Sequence, residues 1–331
     1  MGSIRYLTNE DVAQTLDVAE AVDLAEIGIR ADAEGKVVGD KFYMNVGTNG
    51  FIKPFAGYLE GEEYAYVKTF SFFPQNPERF GVGTTSSVVL LFDAQTGLPV
   101  SYMEAEWVTA LKTGASTTVT AQWLACKDSK VVTIFGAGTL GRMHLRALAT
   151  RFRPERAYIL DIRPEAARAY AAELEPELGF PVEPVPLEER ERAVRAADII
   201  VTVTTGDQPL VEWEWLKPGV FLAKLGSYQE IQPEVITRAH KVVVDRWKYV
   251  APRVPELKQL IAEGRFGPDR VHAEWPDIVA GRRPGREGPE EIIVYIALGI
   301  WGEYAAILPE VYRRARAKGL GREIAPYGAA E

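Results

Sequence analysis

The stretch KVVTIFGAGTLGRMHLRALATRFRPERAYILD, Lys130 to Asp161, decides the fold. An apolar run, Val131 to Phe135, gives way to Gly136-Ala137-Gly138-Thr139-Leu140-Gly141, then to a helical stretch, then to a second apolar run, Ala157 to Leu160, closed by Asp161. A GxGxxG string alone means little in a chain with 29 glycines. Between a strand and a helix it acquires a mechanism. The first glycine allows the tight turn, the second lets backbone approach a pyrophosphate, and the third lets helix pack close to strand. Amides and dipole at the helix N-terminus then hold the phosphates. Asp161 follows Gly141 by about 20 residues, where a carboxylate reaches the adenosine ribose hydroxyls. A 2′-phosphate would meet that negative charge, so NAD is favoured; Arg163, two positions on, leaves NADP open.

Working outward, the alternation continues toward the C-terminus. Arg163 to Leu178 and Arg190 to Ala197 read as helices, and Ile199 to Thr204, Val220 to Leu225 and Val242 to Asp245 as buried strands. Strands alternating with helices imply right-handed crossovers and a parallel sheet. The ends of the fourth and fifth strands, Thr202-Val203-Thr204 and Leu225-Gly226, should border the cofactor at the carboxyl edge. The composition of 281–290 predicts a loop, and the apolar run from Glu291 to Leu308 predicts a long helix. Toward the N-terminus, a helix over Asn9 to Ala33 precedes short aromatic and β-branched runs at Lys41 to Val46, Tyr64 to Phe70, Ser87 to Phe92 and Val100 to Glu104. A helix from Trp107 to Ala125 leads into the glycine motif.

Composition narrows the class. The 331 residues allow two domains. Hydrophobic content of 47% and charged content of 25% suit a soluble enzyme. A net charge of −8 argues against a nucleic-acid partner. One cysteine, Cys126, excludes an internal disulfide and a cysteine-rich metal site and fits a cytoplasmic location; no metal is expected. The N-terminus lacks the pattern of a signal peptide, and no apolar run reaches membrane-spanning length.

Four stretches carry a family likeness: VKTFSFFPQNPERFGVGTTSSVVLLFDAQTGLPVSYMEAEWVTALKTGAS, VVTIFGAGTLGRMHLRAL, ADIIVTVTTGDQPLVEWEWLKPGVFLAKLGS and AGRRPGREGPEEI. With these the chain resembles the ornithine cyclodeaminase and mu-crystallin family over nearly its whole length. The resemblance implies an α/β protein in which a Rossmann dinucleotide-binding domain, 115–307, is inserted in a mixed α/β substrate-binding and dimerisation domain, 1–114 with 308–331. It also implies a homodimer and substrates that are L-amino acids or their imines.

Reduction of an imine by NADH needs cations for the substrate carboxylate and a group that exchanges a proton at nitrogen. Lys68 matches the family's active-site lysine. Lys112 stands where most relatives carry an arginine that grips the substrate carboxylate, and Lys41 falls on a second such arginine. A lysine supplies a point charge there, not a bidentate fork. Thr84 matches a family threonine near the substrate, and Thr113, beside Lys112, joins the cofactor set. His144, His240 and His272 occupy no family site. Relatives that cyclise ornithine have an aspartate in the loop after the fifth strand; this chain reads Gly226-Ser227-Tyr228-Gln229-Glu230-Ile231, with Glu230 matching a structural glutamate. Ile296-Ala297 replaces the Lys-Ser of many relatives, and Tyr228, Phe70, Phe72 and Tyr43 are candidate apolar walls. The expected activity is NAD(P)-dependent reduction of an imine to an L-amino acid, or its reverse. Alternatives are a cyclodeaminase-like lyase that recycles bound NAD, and a non-catalytic dinucleotide-dependent binding protein of the mu-crystallin kind.

Overall fold

The computed structural model describes residues 3–325. The chain folds as two compact units, one built from the residues up to Lys112 together with those from Ile300 on, the other from Thr113 to Gly299.

The first unit starts with β1 (Ile4–Leu7) and two helices, α1 (Asn9–Ala13) and α2 (Val18–Ala33). The expected single helix over 9–33 is interrupted because two capping boxes compete for it. Thr8 and Asp11 satisfy each other's backbone at the start of α1, and Asp17 and Glu20 do the same at the start of α2. Next come β2 (Val37–Lys41), β3 (Met44–Val46), β4 (Gly50–Leu59), β5 (Tyr64–Phe72), β6 (Thr85–Asp93) and β7 (Pro99–Glu104). Strand β4 escapes a propensity reading because Gly50, Pro54 and Gly57 punctuate it, yet it is the longest in the sheet. Strands β2, β4, β5, β6 and β7 pair antiparallel in that order; β1 joins β7 in parallel, and strand Arg322–Ile324 closes the edge on β1. Helix α2 meets the short helix Gly302–Ala305 backbone to backbone: a Cβ on Gly28 would lie 2.1 Å from the Gly302 carbonyl oxygen. A helix over Ile307–Ala317 completes the unit. Helix α3 (Glu106–Leu124) contributes Lys112 to this unit and carries Thr113 into the next.

The second unit holds eight strands: β8 (Val131–Phe135), β9 (Arg156–Leu160), β10 (Val182–Pro184), β11 (Ile199–Thr202), β12 (Phe221–Lys224), β13 (Lys241–Val244), β14 (Ala273–Glu274) and β15 (Ile293–Ile296). They pair in the order β10-β9-β8-β11-β12-β15-β13-β14, and every pairing is parallel. The helix expected over 291–308 is therefore corrected. Its β-branched start, Ile292-Ile293-Val294, forms a fully buried strand between β12 and β13, and Gly299, at φ 83°, stops any helix from running on. For the same reason the chain re-enters the first unit at Ile300, not at 308.

Candidate active site

In the first unit the antiparallel register builds a face of cations and aromatic rings. Alternate residues of a strand share a face, so cross-strand partners lie side by side. One row reads Lys41, Phe55, Lys68, Val89; the next reads Lys53, Phe70, Ser87. Three of the four lysines near this face are buried: Lys68 is 1% exposed, Lys41 3% and Lys112, reaching in from α3, 5%. Rings receive the ammonium groups. Lys41 Nζ lies 5.4 Å from the Phe55 centroid, Lys68 Nζ 5.5 Å from Phe70 and 5.4 Å from Tyr304, and Lys112 Nζ 4.8 Å from Tyr304. Ring quadrupoles attract a cation while leaving its charge intact.

Lys68 is the perturbed group. Burial, and then the charge of Lys112, pull its pKa from 10.5 down to about 7, with Glu106 opposing. Its ammonium donates to Ser87 Oγ at 3.3 Å, and the Ser87 amide is itself fixed by Glu106 Oε1 at 2.9 Å. Lys112 is ion-paired with buried Glu303, whose carboxylate also accepts from the Ile300 amide at 3.1 Å. Sequence reasoning missed Glu303 because it lay inside the misread helix. It missed Lys53 too, although a period-2 reading of Lys53-Pro54-Phe55 would have placed that lysine beside Phe55. Thr84 stands in the turn just ahead of β6, half-buried, its carbonyl accepting from the Phe73 amide, and not in either row. Phe70 belongs to the second row; Phe72 and Tyr43 pack against Phe51.

In the second unit the glycine loop divides its labour. Gly136 sits at φ +110°, and a Cβ there would come within 2.7 Å of the Val203 carbonyl. A Cβ on Gly141 would lie 1.9 Å from the Gly136 oxygen, so this glycine sets the helix against the loop. A Cβ on Gly138 would meet nothing within 4 Å, and this glycine caps helix α4 (Thr139–Ala149) without any side-chain bond to the end amides. Leu140 and Thr139 in the first turn remain open. Asp161, at the end of β9, accepts from the Ala137 amide at 2.8 Å and the Arg163 amide at 2.9 Å, while the Arg163 side chain is largely exposed. The loop therefore leaves backbone donors and room where a pyrophosphate would rest, and an acid where a ribose would end.

Thr202, Thr204 and Gly226 converge on Glu230, whose carboxylate accepts from Thr202 Oγ1 (3.0 Å), the Thr204 amide (2.7 Å) and hydroxyl (2.8 Å), and the Gly226 amide (3.0 Å). Burial raises its pKa, against the charge of Lys224. Lys224 in turn donates to the carbonyls of Gly226 and Tyr228 and pairs with Glu256 at 3.4 Å. This network fixes the loop that has no aspartate, and every oxygen of Glu230 is spent on it. Val203 follows β11, its amide bonded to the Phe135 carbonyl, and the Leu225 amide reaches the Thr202 carbonyl. Thr113, half-buried, accepts at its carbonyl from Thr117 Oγ1, and that hydroxyl meets His144 Nε2 at 3.1 Å. His240 and His272 hold loop backbone in the same structural way. Ile296 and Ala297 lie at the buried end of β15, not on a helix.

A parallel nucleotide-binding sheet with an open glycine loop in one unit and a mixed sheet that carries buried lysines in the other define a two-unit α/β protein of the dinucleotide-binding kind. The chain belongs to the ornithine cyclodeaminase/mu-crystallin family, whose model matches residues 5–319. It is 31% identical over 323 residues to the alanine dehydrogenase of Archaeoglobus fulgidus, covering 96% of this chain and 97% of that one. Among solved structures it is similar to Thermococcus litoralis Δ1-pyrroline-2-carboxylate reductase in complex with NADH and L-proline, at TM-score 0.91 and 30% identity, over 97% of this chain and 100% of that one. The iminosuccinate reductase of Paracoccus denitrificans in complex with NAD+ matches at TM-score 0.85 and 26% identity, over 98% and 100%.

Proposed function

We propose that the protein is an NAD-dependent oxidoreductase that reduces a 2-imino acid or cyclic ketimine to the L-amino acid, or runs the reverse dehydrogenation. The observation that carries this reading is Lys68: a buried ammonium on an aromatic-lined face, its pKa brought to about 7 by burial and a neighbouring lysine. A group so poised exchanges a proton near neutral pH, which is the service an imine nitrogen needs. The alanine dehydrogenase and the pyrroline-carboxylate reductase to which the chain is similar are named for such chemistry.

Bound NADH supplies the hydride that adds to the imine carbon, and NAD+ receives it in the reverse direction. The loop Gly136-Ala137-Gly138-Thr139-Leu140-Gly141 would hold the pyrophosphate through the open amides at the start of its helix, Gly136 and Ala137 shaping the turn, while Asp161 would take the ribose hydroxyls and Arg163 would flank them. Thr113 and the loops at 202–204 and 225–226 frame the rest. Lys41 and Lys112 neutralise the substrate carboxylate, Glu303 keeping Lys112 in place and Thr84 standing near the substrate. In reduction, protonated Lys68 gives its proton to the imine nitrogen, so that the carbon accepts hydride and the product leaves as the amine. In oxidation, neutral Lys68 removes a proton from the amino group first.

The unit formed by residues 1–112 and 300–331 is the substrate-binding and dimerisation unit. Support for a homodimer comes from its sheet edge, where Val38 is 74% and Phe42 61% exposed, and from an archaeal neighbour described as an alanine dehydrogenase dimer. The single cysteine suits the cytoplasm; no described helix is long and apolar enough to cross a membrane. The deciding measurement is NADH absorbance with purified protein and a panel of cyclic imines and of 2-oxo acids supplied with ammonia. Oxidation with any member is the expected result. Tight NADH binding without oxidation would overturn the reading, and ammonia release from ornithine without added cofactor would replace it with the lyase.

A further inference from the structure

Ser87 Oγ is the single hydrogen-bond acceptor of Lys68 among the described residues, at 3.3 Å. Phe55, Phe70 and Tyr304 surround the same ammonium, with centroids at 5.8, 5.5 and 5.4 Å, but a ring face attracts a cation without fixing the direction of any one N–H. Strand register explains the meeting. Phe70 pairs with Ser87 and Lys68 with Val89, so Ser87 stands diagonally across from Lys68 on the same face of the sheet. Its backbone is pinned from both sides: the Ser87 amide donates to Glu106 Oε1 at 2.9 Å, and the Ser87 carbonyl accepts from the Ala105 amide at 3.0 Å. Asn9 Nδ2 in turn donates to Glu106 at 2.9 Å. The serine is therefore a fixed point, whereas a lysine ends in a rotating ammonium on a flexible four-carbon stem.

A buried hydroxyl costs free energy unless it is bonded, and an alanine at position 87 would occupy the strand without that cost. The bond this hydroxyl makes is the one to Lys68. With one N–H committed to Oγ, tetrahedral geometry confines the other two to a cone that opens away from Ser87. A proton bound for an imine nitrogen leaves from that cone: the Nζ–H bond breaks, its electron pair stays on Nζ, and a new N–H bond forms on the imine. A hydroxyl can donate as well as accept, so Ser87 keeps a bond to the neutral amine. We propose that Ser87 is a positioning residue for Lys68, aiming its ammonium for proton exchange and retaining the amine once the proton has gone. The proposal rests on the oxidoreductase reading for its kinetics and on the Lys68–Ser87 contact alone for its effect on titration. A bond to an ion is stronger than one between neutral groups, so Ser87 favours the charged form. Lys112 opposes it and Glu106 assists it, both from α3. Tyr304 faces Lys68 from the helix Gly302–Ala305, and Lys41 and Lys53 approach the shared Phe55 ring at 5.4 and 4.8 Å.

Wild-type protein, Ser87→Ala and Ser87→Thr decide the point by two measurements. In the first, lysines labelled with carbon-13 at Cε report their titration by NMR, the Lys68 signal being the one that vanishes in Lys68→Met. Its midpoint should lie at about 7 in the wild type. Ser87→Ala should lower it by about one unit, and Ser87→Thr, which keeps a hydroxyl on a side chain suited to a strand, should hold it within about 0.3 unit. The second measurement is NADH oxidation with cyclic imines and with 2-oxo acids plus ammonia. At pH 7 the kcat of Ser87→Ala should fall by about tenfold while KM changes by less than about twofold, and the pH above which kcat/KM declines should drop by about the same unit. Ser87→Thr should restore both. A Lys68 midpoint that Ser87→Ala leaves in place overturns the proposal whatever turnover does, as does a Ser87→Ala enzyme with full kcat. A lowered midpoint in protein that oxidises no NADH sinks the reductase and keeps Ser87 as the group that holds the Lys68 charge. Unchanged NADH affinity certifies that each variant is folded.

Discussion

In the dinucleotide unit the groups offered to a ligand are backbone amides around glycines, and the fold needs them where they are; in the lysine unit they are side chains held against their own preference for water. The glycine loop is bound to the packing of the sheet, since Gly136 and Gly141 have no room for a Cβ. Lys68 is bound to nothing comparable. Its neighbours are rings, one hydroxyl and another cation, with the charge of Glu106 in opposition, and burial penalises its charged form. One unit therefore gains stability from its glycine loop, and the other gives some up to bury its lysines.

The largest effect that would break this contrast concerns Lys68→Met. Turnover should fall by about a thousandfold or more, within the range ascribed to a positioned acid–base group. NADH affinity should hold, and stability should rise. Folding lowers the pKa of Lys68 from 10.5 to about 7, so the folded chain holds fewer protons than the unfolded chain between those pH values. The penalty is full below pH 7 and fades as the pH climbs toward 10.5. Thermal melts of both proteins at pH 6 should show the variant melting higher, by an amount that shrinks at pH 10; a variant that melts lower would show that Lys68 is a structural support.

Within the glycine loop two alanine substitutions sharpen the same contrast. Gly141→Ala should cost about 2–4 kcal/mol of unfolding free energy, because its Cβ would strike backbone that cannot yield. Gly138→Ala meets nothing and sits at φ −82°, so the unfolding free energy should stay within about 0.5 kcal/mol of the wild type while NADH affinity falls. Equal stability for the two variants would refute the division of labour. The smallest effect belongs to Glu106→Gln. Glu106 raises the pKa of Lys68, so its neutralisation should shift the pH at which reductive kcat/KM declines from about 7 to a lower value. The decline itself, with rising pH, follows from loss of the lysine proton.

What could be read from residues alone follows this division. The Rossmann half was legible because its requirements are local: a turn, two close approaches and an acid at a fixed separation. Of the lysine face, Lys68, Lys41 and Lys112 came through the family likeness, but the rows that join them depend on pairing between strands distant in sequence. Lys53 is conspicuous only once β4 is recognised, and three helix- and strand-weakening residues conceal that strand. Glu303 was hidden by an apolar run that reads equally as buried helix or parallel strand, a choice that only the neighbouring strands of the sheet decide.

The split of the first unit also bears on synthesis. Lys112 and Glu303 are 191 residues apart, and the whole second unit lies between them in the chain. At about 5–20 residues per second, a ribosome leaves Lys112 without its carboxylate for about 10–40 s, long enough for the continuous stretch from Thr113 to Gly299 to fold first. The nascent protein thus acquires its nucleotide fold before its buried lysine is paired, and any chain terminated short of residue 303 would have a finished second unit and a Lys112 without its carboxylate.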